Sequence, residues 1–359
     1  MNKKIVFSAG GTGGHIFPAI NLMKHFYDKG YKVVLITDKR GNNFINNYSK
    51  FKSYILKADT PTNKRFLKKI LSFSVIFYSI LKSIFILRSE KPDLIIGFGG
   101  YVSFPISYAS KFFKLPLIIY ENNLVLGRTN KYLLNFAKKI LVAKIIKKNF
   151  PEKFNEKVSE VGSILEKNII NYSNPTNFNI EQNFTISILG GSQGAEIFGK
   201  VVPSVIKMIK DYGYNVQINQ QCIKKQKKVI TDYYKKNNIK NYVFEFEKNI
   251  LKLISSSSIV ITRCGASSTA ELAHTLTPFI AVPLPHSIDN HQYLNAKFYE
   301  EKGCCLILEE KDFNTKNLFN VIIEVIKNKN KLENIRDNMK KIFNNKVYSN
   351  VENEIRKFI

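Results

Sequence analysis

The sequence predicts an α/β protein of two doubly wound, Rossmann-like domains facing a cleft, and three observations carry that prediction. Short apolar runs recur along the whole chain, several lead straight into glycine-rich turns, and helical patterns follow them. The opening is repeated in form, as IVFSAGGTGG near the N-terminus and TISILGGSQGA in the second half. Between the two series lies a polar stretch, NIINYSNPTNFNIEQN at 168–183, with the Pro and Asn content of a linker. At 359 residues the chain can bury two cores of ordinary size.

Taken in order, the first half offers strands at 5–10 (IVFSAG), 33–38 (VVLITD), 94–99 (LIIGFG), 117–122 (LIIYEN) and 140–144 (ILVAK). The second offers 185–191 (TISILGG), 216–220 (VQINQ), 242–246 (YVFEF), 259–263 (IVITR), 279–284 (FIAVPL) and 305–310 (CLILEE). A domain over 1–165 and another over 166–342 follow, with a C-terminal helix at 343–359 expected to pack on the first. In open sheets of this kind ligands bind beyond the carboxyl ends of the strands, where nearly all the unusual short stretches fall.

Composition narrows the class. Hydrophobic residues make up 44% and charged residues 23%, as in a soluble globular protein. The 55 Lys+Arg against 28 Asp+Glu give +27, which points to an anionic partner. Part of that excess is background, since Lys, Asn and Ile are abundant throughout, and its even spread argues against a nucleic-acid-binding tail. Cys222, Cys264, Cys304 and Cys305 have no metal-ligand spacing and suggest a reducing compartment. The chain enters its first strand without the regions of a signal peptide, so a cytoplasmic protein is expected.

The first glycine turn, SAGGTGGHIFPAI at 8–20, fails the dinucleotide fingerprint because Ile16 stands where a third glycine is needed. Asp38, ending the second strand, imitates the ribose-binding acid of that fingerprint but is a common strand-end residue. Backbone at Gly10, Gly11, Gly13 and Gly14 can approach a ligand closely. Pro18 is expected to open a helix ending near Gly30, with His15 just ahead of it as a general base or phosphate contact.

GGTGGHIFPA, GFGGYVSFP, ENNLVLGRTNK, LGGSQGA and RCGASSTAELAHTLTPFIAVPLPHSIDNHQYLNA, in this order over residues 8 to 300, resemble the MurG family of glycosyltransferases, the membrane-associated enzymes of peptidoglycan synthesis. The resemblance implies a GT-B fold, with an acceptor and membrane domain followed by a UDP-sugar domain. It implies inverting transfer of N-acetylglucosamine from UDP-N-acetylglucosamine to undecaprenyl-pyrophosphate-linked muramyl pentapeptide.

The residues fit that chemistry. In GGSQGA, the amides of Gly190, Gly191, Gln193 and Gly194 and the Ser192 hydroxyl suit a diphosphate, and stabilising a leaving UDP there lowers the barrier. No carboxylate pair stands ready to chelate a metal at either turn, so neither metal nor cofactor is expected. By resemblance, Ala266, Ser267, Ser268, Thr269, Ala270 and Glu271 line the UDP site, with Glu271 on the ribose hydroxyls. Ser268 and Glu271 also have the spacing of a capping box, in which Glu271 would only close the helix start. Gln292, and less surely His291, match the donor-sugar position, while Asn290 and Asn295 read equally as helix caps.

On the acceptor side, Glu121 and Asn123 match the family's H-E-Q-N segment, with Tyr120 in place of its His. Glu121 is a second candidate base. Asn123, Thr12, Gly13 and Gly14 are expected near the donor, and Gly11 and Tyr101 near the acceptor. A second departure follows the strand ending EVG, where the family's N-P-V-R is Ser163-Ile164-Leu165-Glu166 here, so no donor contact is carried to Glu166.

ILSFSVIFYSIL, between Lys69 and Lys82, is uncharged. It is too interrupted for the ~20 apolar residues of a spanning helix. Lys68, Ser72, Ser79 and Lys82 trace a narrow polar stripe at helical spacing. Flanking cations (Lys64, Arg65, Lys68, Lys69, Lys82, Arg88) suggest a helix lying on an anionic membrane surface. With the resemblance, this implies a peripheral enzyme on the cytoplasmic face of the bacterial inner membrane, with no nucleic-acid partner. The rival readings are another UDP-sugar:lipid transferase, a UDP-sugar 2-epimerase and a basic RNA-binding protein.

Overall fold

The computed structural model describes residues 3–45, 50–59, 66–145, 150–172, 184–191, 194–342 and 344–359. It divides into two compact units, Met1–Glu166 with Lys346–Ile359, and Lys167–Asn345.

The first unit runs β1 (Lys4–Ser8), α1 (Gly13–Asp28), β2 (Lys32–Thr37), α2 (Lys39–Asn42), β3 (Lys52–Ile55), α3 (Phe66–Glu90), β4 (Leu94–Gly97), α4 (Ser103–Ala109), β5 (Leu117–Glu121), α5 (Arg128–Leu133), β6 (Lys139–Val142) and β7 (Val158–Glu160). Its seven strands are parallel in the order β3-β2-β1-β4-β5-β6-β7. The central runs IVF, LIIG and LIIYE are buried throughout, as strands covered on both faces require. Register sets Ser8 of β1 beside both Ile36 of β2 and Gly97 of β4. The turns after these three strands therefore meet at one point.

The second unit runs α6 (Lys167–Ile170), β8 (Phe184–Leu189), α7 (Glu196–Asp211), β9 (Val216–Gln221), α8 (Lys224–Lys236), β10 (Lys240–Phe244), α9 (Ile250–Ser255), β11 (Ile259–Thr262), α10 (Ala266–His274), β12 (Phe279–Ala281), α11 (His291–Glu300), β13 (Leu306–Ile307), α12 (Thr315–Lys327) and α13 (Lys329–Lys341). Six parallel strands take the order β10-β9-β8-β11-β12-β13. Ile188 of β8 pairs with Gln220 of β9 and Ile261 of β11, so Gly190, Gln221 and Arg263 leave the sheet side by side.

The chain ends in α14 (Val347–Ile355), which starts later than the expected 343; Phe343 itself lies outside the described residues. It sits on the first unit. Lys29 Nζ and His25 Nε2 both lie 2.6 Å from Glu352 Oε1, and the Tyr348 hydroxyl donates to the Leu165 carbonyl at 2.7 Å. Of the expected linker at 168–183, the first residues belong to α6 and 173–183 lie outside the described residues.

Two strands went unforeseen. β3 (KSYI) and β7 (VSE) are edge strands with partly exposed side chains, so neither carries an apolar run. The helix expected from Pro18 begins earlier, at Gly13, with Pro18 inside it and His15 as its third residue. Bonds from the His15 and Ile16 amides to the Thr12 carbonyl (3.2 and 3.3 Å) start the helix, ahead of the turn in which proline lacks its N–H.

The stripe on α3 is also inverted. Ser72, Ser79 and Ser83 are fully buried, while Leu71, Phe73, Phe77, Tyr78 and Phe85 are exposed, Phe85 by 72%. Small serines let the helix approach α4, and their hydroxyls bond backbone carbonyls, Ser79 to Lys57 at 2.7 Å. Lys68 and Lys82 remain at the surface, and Lys64 and Arg65 lie outside the described residues. Contrary to the reading of an interrupted run, Lys68–Glu90 is long and apolar enough to cross a membrane by length and composition alone. One face of the helix is docked on the unit through Ser72, Ser79 and Ser83. Glu90 at its end is buried against Lys4 Nζ (3.0 Å), Lys52 Nζ (2.5 Å) and the Tyr54 hydroxyl (2.5 Å). Burial raises this carboxyl's pKa, but the three donors outweigh it and hold it at about 2.

Candidate active site

In the first unit the turn after β1 is held from both sides. Asp38, beyond β2, accepts from the Gly11 amide (Oδ2, 3.0 Å) and caps α2 through Gly41 (Oδ1, 2.7 Å). Its carboxylate is thereby a brace and not the ribose acid of a dinucleotide site. From the other side comes the turn after β4. A Cβ on Gly100, which has φ +76°, would stand 2.5 Å from the Gly10 carbonyl oxygen, so the two turns touch backbone to backbone. Thr12 is the exposed N-cap of α1 and makes no side-chain cap bond, Gly13 is buried, and Gly14 and His15 are half-buried at the helix start. That is where amides and the helix dipole favour negative charge. Tyr101, half-buried, follows Gly100.

Glu121 ends β5 at 1% exposure. Its Oε1 accepts from the Asn123 amide (3.0 Å) and Asn123 Nδ2 (3.1 Å), and its Oε2 from the Gly127 amide (2.8 Å) and Asn130 Nδ2 (2.9 Å). Four donors occupy all the lone-pair positions of this carboxylate. The geometry suits an anchor for the 121–130 loop better than a base. Tyr120, the residue that replaces the family's His, is buried behind it. Its hydroxyl accepts from the Ile164 amide (3.0 Å) and lies 3.2 Å from the Gly162 carbonyl. The two departures from the family pattern therefore touch. Where the family has proline there is no N–H to satisfy; Ile164 brings one, and Tyr120 brings its acceptor.

In the second unit β8 leads into Gly190, whose amide donates to Gln221 Oε1 (2.9 Å) at the end of β9. A Cβ there would lie 2.4 Å from the Ala195 nitrogen, and Gly191 has φ +76°, so the turn needs glycine. Gly194, at φ +71°, closes it against Ile223. Ser192 and Gln193 lie outside the described residues. α7 starts only at Glu196, whose carboxylate pairs with Lys225 (2.9 Å) and Lys200 (3.0 Å). Those two ammonium groups lower its pKa.

α10 begins at Ala266 with Gly265 as N-cap. Ser268 is thus the third helical residue, the capping-box reading of Ser268 and Glu271 fails, and Glu271 stands half-buried more than a turn in. Ala266, Ser267 and Ser268 are half-buried at the helix start, whereas Thr269 and Ala270 face the core, and the Thr269 hydroxyl bonds back to the Gly265 and Ala266 carbonyls (3.2 Å each). Gln292 Oε1 accepts from the Cys264 and Leu284 amides (3.1 and 3.0 Å), which ties the α10 entrance to the loop before α11. Its oxygen is committed to these two amides, which leaves the Nε2 donors for a ligand. Asn290 is the left-handed N-cap of α11 without a side-chain cap bond, and Asn295 is buried, donating to the Cys264 carbonyl (3.1 Å). His291 Nδ1 lies 2.7 Å from the Ile288 carbonyl.

The supporting roles of several residues were not legible in the sequence. Arg263 lies buried over the Phe198 ring, donates to the Val282 and Pro283 carbonyls (3.2 and 3.3 Å) and pairs with Glu310. Asp38 and Gln221 brace the glycine turns, and Asn130 donates to Glu121; Gln221 stands in no motif, whereas Asn130 lies within ENNLVLGRTNK and Arg263 opens RCGASSTAELA. Among the described residues, no group of three or more His, Cys, Asp or Glu side chains is placed to hold a metal ion.

Residues 5–142 match the glycosyltransferase family 28 N-terminal domain and residues 185–352 its C-terminal domain. A relative from Pelagibacter ubique (strain HTCC1062) is 35% identical over 99% of this chain and 98% of its own length. Another, from Rickettsia canadensis (strain McKiel), is 37% identical over 94% and 95%. Both are named UDP-N-acetylglucosamine–N-acetylmuramyl-(pentapeptide) pyrophosphoryl-undecaprenol N-acetylglucosamine transferase. Among solved structures, MurG of Acinetobacter baumannii aligns over 99% of this chain and all of its own (TM-score 0.79, 23% identity). A putative UDP-N-acetylglucosamine 2-epimerase from Listeria monocytogenes aligns over 99% and 96% (TM-score 0.67, 11% identity). Such identities show a common GT-B fold, which transferases and epimerases share, and do not choose between the two activities. The choice comes from the domain models and the near-full-length relatives, by which the chain belongs to glycosyltransferase family 28.

Proposed function

We propose that this chain transfers N-acetylglucosamine from UDP-N-acetylglucosamine to the 4-hydroxyl of undecaprenyl-pyrophosphate-linked N-acetylmuramyl-pentapeptide, with inversion at the anomeric carbon. The observation that carries the reading is the near-full-length likeness to relatives named for this reaction. The diphosphate lies on the turn of Gly190, Gly191, Ser192, Gln193 and Gly194 and on the first amides of α10 at Ala266, Ser267 and Ser268. Thr269 and Ala270 shape that helix from behind. Glu271 takes the ribose hydroxyls; its position beyond the first turn of α10 supports this, since no capping role competes. Gln292 donates to the sugar through Nε2, and Asn123, Thr12, Gly13 and Gly14 complete the donor contacts. Gly11 and Tyr101 face the acceptor.

His15 Nε2 removes the proton of the 4-hydroxyl as that oxygen attacks the anomeric carbon. The bond from that carbon to the phosphate oxygen breaks, and its electron pair leaves on UDP. Donors aimed at the departing diphosphate act most strongly at that moment. Glu121 anchors the loop and takes no proton, a division of labour supported by its four donors. The exposed apolar face of α3, with Lys68, Lys69, Lys82 and Arg88 around it, rests on the cytoplasmic leaflet where the lipid acceptor is found. The test is transfer of radiolabel from UDP-N-acetylglucosamine into the extracted muramyl-pentapeptide lipid. Label appearing instead in diacylglycerol, or an epimerised donor without any acceptor, would remove this reading.

A further inference from the structure

The first unit holds a buried amide whose orientation is decided and whose oxygen has no donor. Asn130, the third residue of α5, is 1% exposed. Its Nδ2 donates to Glu121 Oε2 at 2.9 Å and to the Tyr120 carbonyl at 3.3 Å. Both partners only accept, so exchanging nitrogen and oxygen would face Oδ1 with two acceptors; the amide can sit only one way. Oδ1 is thereby turned away from Glu121, buried, and without a partner among the described residues. Buried carbonyl oxygens are nearly always paired, and an exception calls for a functional account.

Gly99 shows what stands nearby. A Cβ built on it would lie 3.1 Å from both Nδ1 and Cε1 of His15 and 3.6 Å from Asn130 Nδ2. The Nδ1 edge of the imidazole and the Asn130 amide thus border the same small space. At φ +88°, Gly99 is in the left-handed region, and a side chain there would crowd the imidazole.

We propose that Asn130 is a positioning residue for His15: its Oδ1 accepts the Nδ1–H of the imidazole in the working enzyme. This rests on the reading of His15 as the base. Catalytic hydrogen bonds often close only when substrate is bound. The bond selects the tautomer with a bare Nε2, which leaves the lone pair on the nitrogen that receives the hydroxyl proton. Glu121 orients Asn130, Asn130 orients His15, and His15 takes the proton, so a base is aligned by a second group and that group by a third. An amide in the middle position directs the ring without adding a charge beside it. The arrangement also accounts for a buried Glu121 surrounded by donors.

The test is the imidazole tautomer, read by nitrogen NMR on protein labelled with 15N-histidine and saturated with UDP. Five histidines are present, and the His15 signals are those lost in His15→Gln. The expected result is protonated Nδ1 and bare Nε2 in the wild-type protein. In Asn130→Ala the population moves toward the Nε2–H form, and kcat falls about tenfold or more at unchanged KM for the donor, as loss of tautomer control dictates. A wild-type His15 in the Nε2–H form, or a tautomer unmoved by Asn130→Ala, overturns the proposal. Should Asn130→Ala not fold, the wild-type tautomer decides by itself. Full activity in His15→Gln would instead remove the base assignment, a different outcome from a wrong tautomer.

Discussion

The amide of Gly11 donates to a carboxylate, Asp38; that of Gly190 donates to a neutral amide oxygen, Gln221. Each acceptor stands at the end of the strand flanking the turn's own strand, β2 beside β1 and β9 beside β8. The two turns thus share one solution for holding a glycine loop, with different electrostatics. Beside the first turn lies a fixed negative charge, and α1 starts among the glycines with no acid in its first turn. The second turn is braced without charge, yet α7 starts after the glycines with Glu196. Glu196 is exposed and paired with two lysines, so its repulsion of an anion is damped, whereas a carboxylate at the Gln221 position would face the turn directly. The likeness of GGTGG to GGSQG therefore says nothing of the charge beside each turn. Charge is decided by the residues that reach in from elsewhere.

Five substitutions, two of them combined as a pair, break or sharpen this contrast. The largest effect is expected from His15→Ala, a loss of ~10²-fold or more in kcat. UDP affinity measured by calorimetry should stay as it was, because the imidazole acts on the acceptor hydroxyl and not on the nucleotide; an equal loss of UDP binding would make His15 a donor contact and not the base. Next comes Tyr120→Phe, which removes the acceptor of the buried Ile164 amide at a cost of about 1–3 kcal/mol in chemical denaturation. Adding Ile164→Pro should cost less in that background than in wild type, and strict additivity of the two would deny their coupling. Gln221→Glu makes the second brace resemble the first, and UDP affinity should fall about tenfold, ~1.4 kcal/mol at surface-like dielectric. Unchanged affinity would place the diphosphate elsewhere. The smallest effect belongs to Glu196→Gln, in which losing an acid from the start of α7 should tighten UDP by about 0.3–1 kcal/mol, less at high salt.

The strands legible in advance were those with unbroken apolar runs, since a central parallel strand buries both faces and must be hydrophobic along its length. β3 and β7 escaped because an edge strand needs no such run. On α3 the spacing of the serines was legible but their direction was not. A stripe of small hydroxyl residues suits either water or a close helix contact, and burial of the stripe, with the Lys57 carbonyl as partner of Ser79, decides between them. The candidate site divides in the same way. His15, the two glycine turns and the 266–271 segment are continuous in the chain and visible as motifs. The four donors around Glu121 were not legible, because the motif shows Asn123, Gly127 and Asn130 in line but not that the chain folds them back onto one carboxylate.

By itself, then, the sequence determined the α/β class, the repeated strand–glycine–helix plan and the family, all of which rest on local periodicity and contiguous motifs. Tertiary structure alone decided which carboxylate is held by donors, which side chain braces each turn, that Tyr120 answers the Ile164 amide, and that α3 turns its serines inward. The physical reason is distance along the chain. Hydrogen-bond partners such as Gly11 with Asp38 or Tyr120 with Ile164 are separated by 27 and 44 residues, and only the order and register of the strands brings them together.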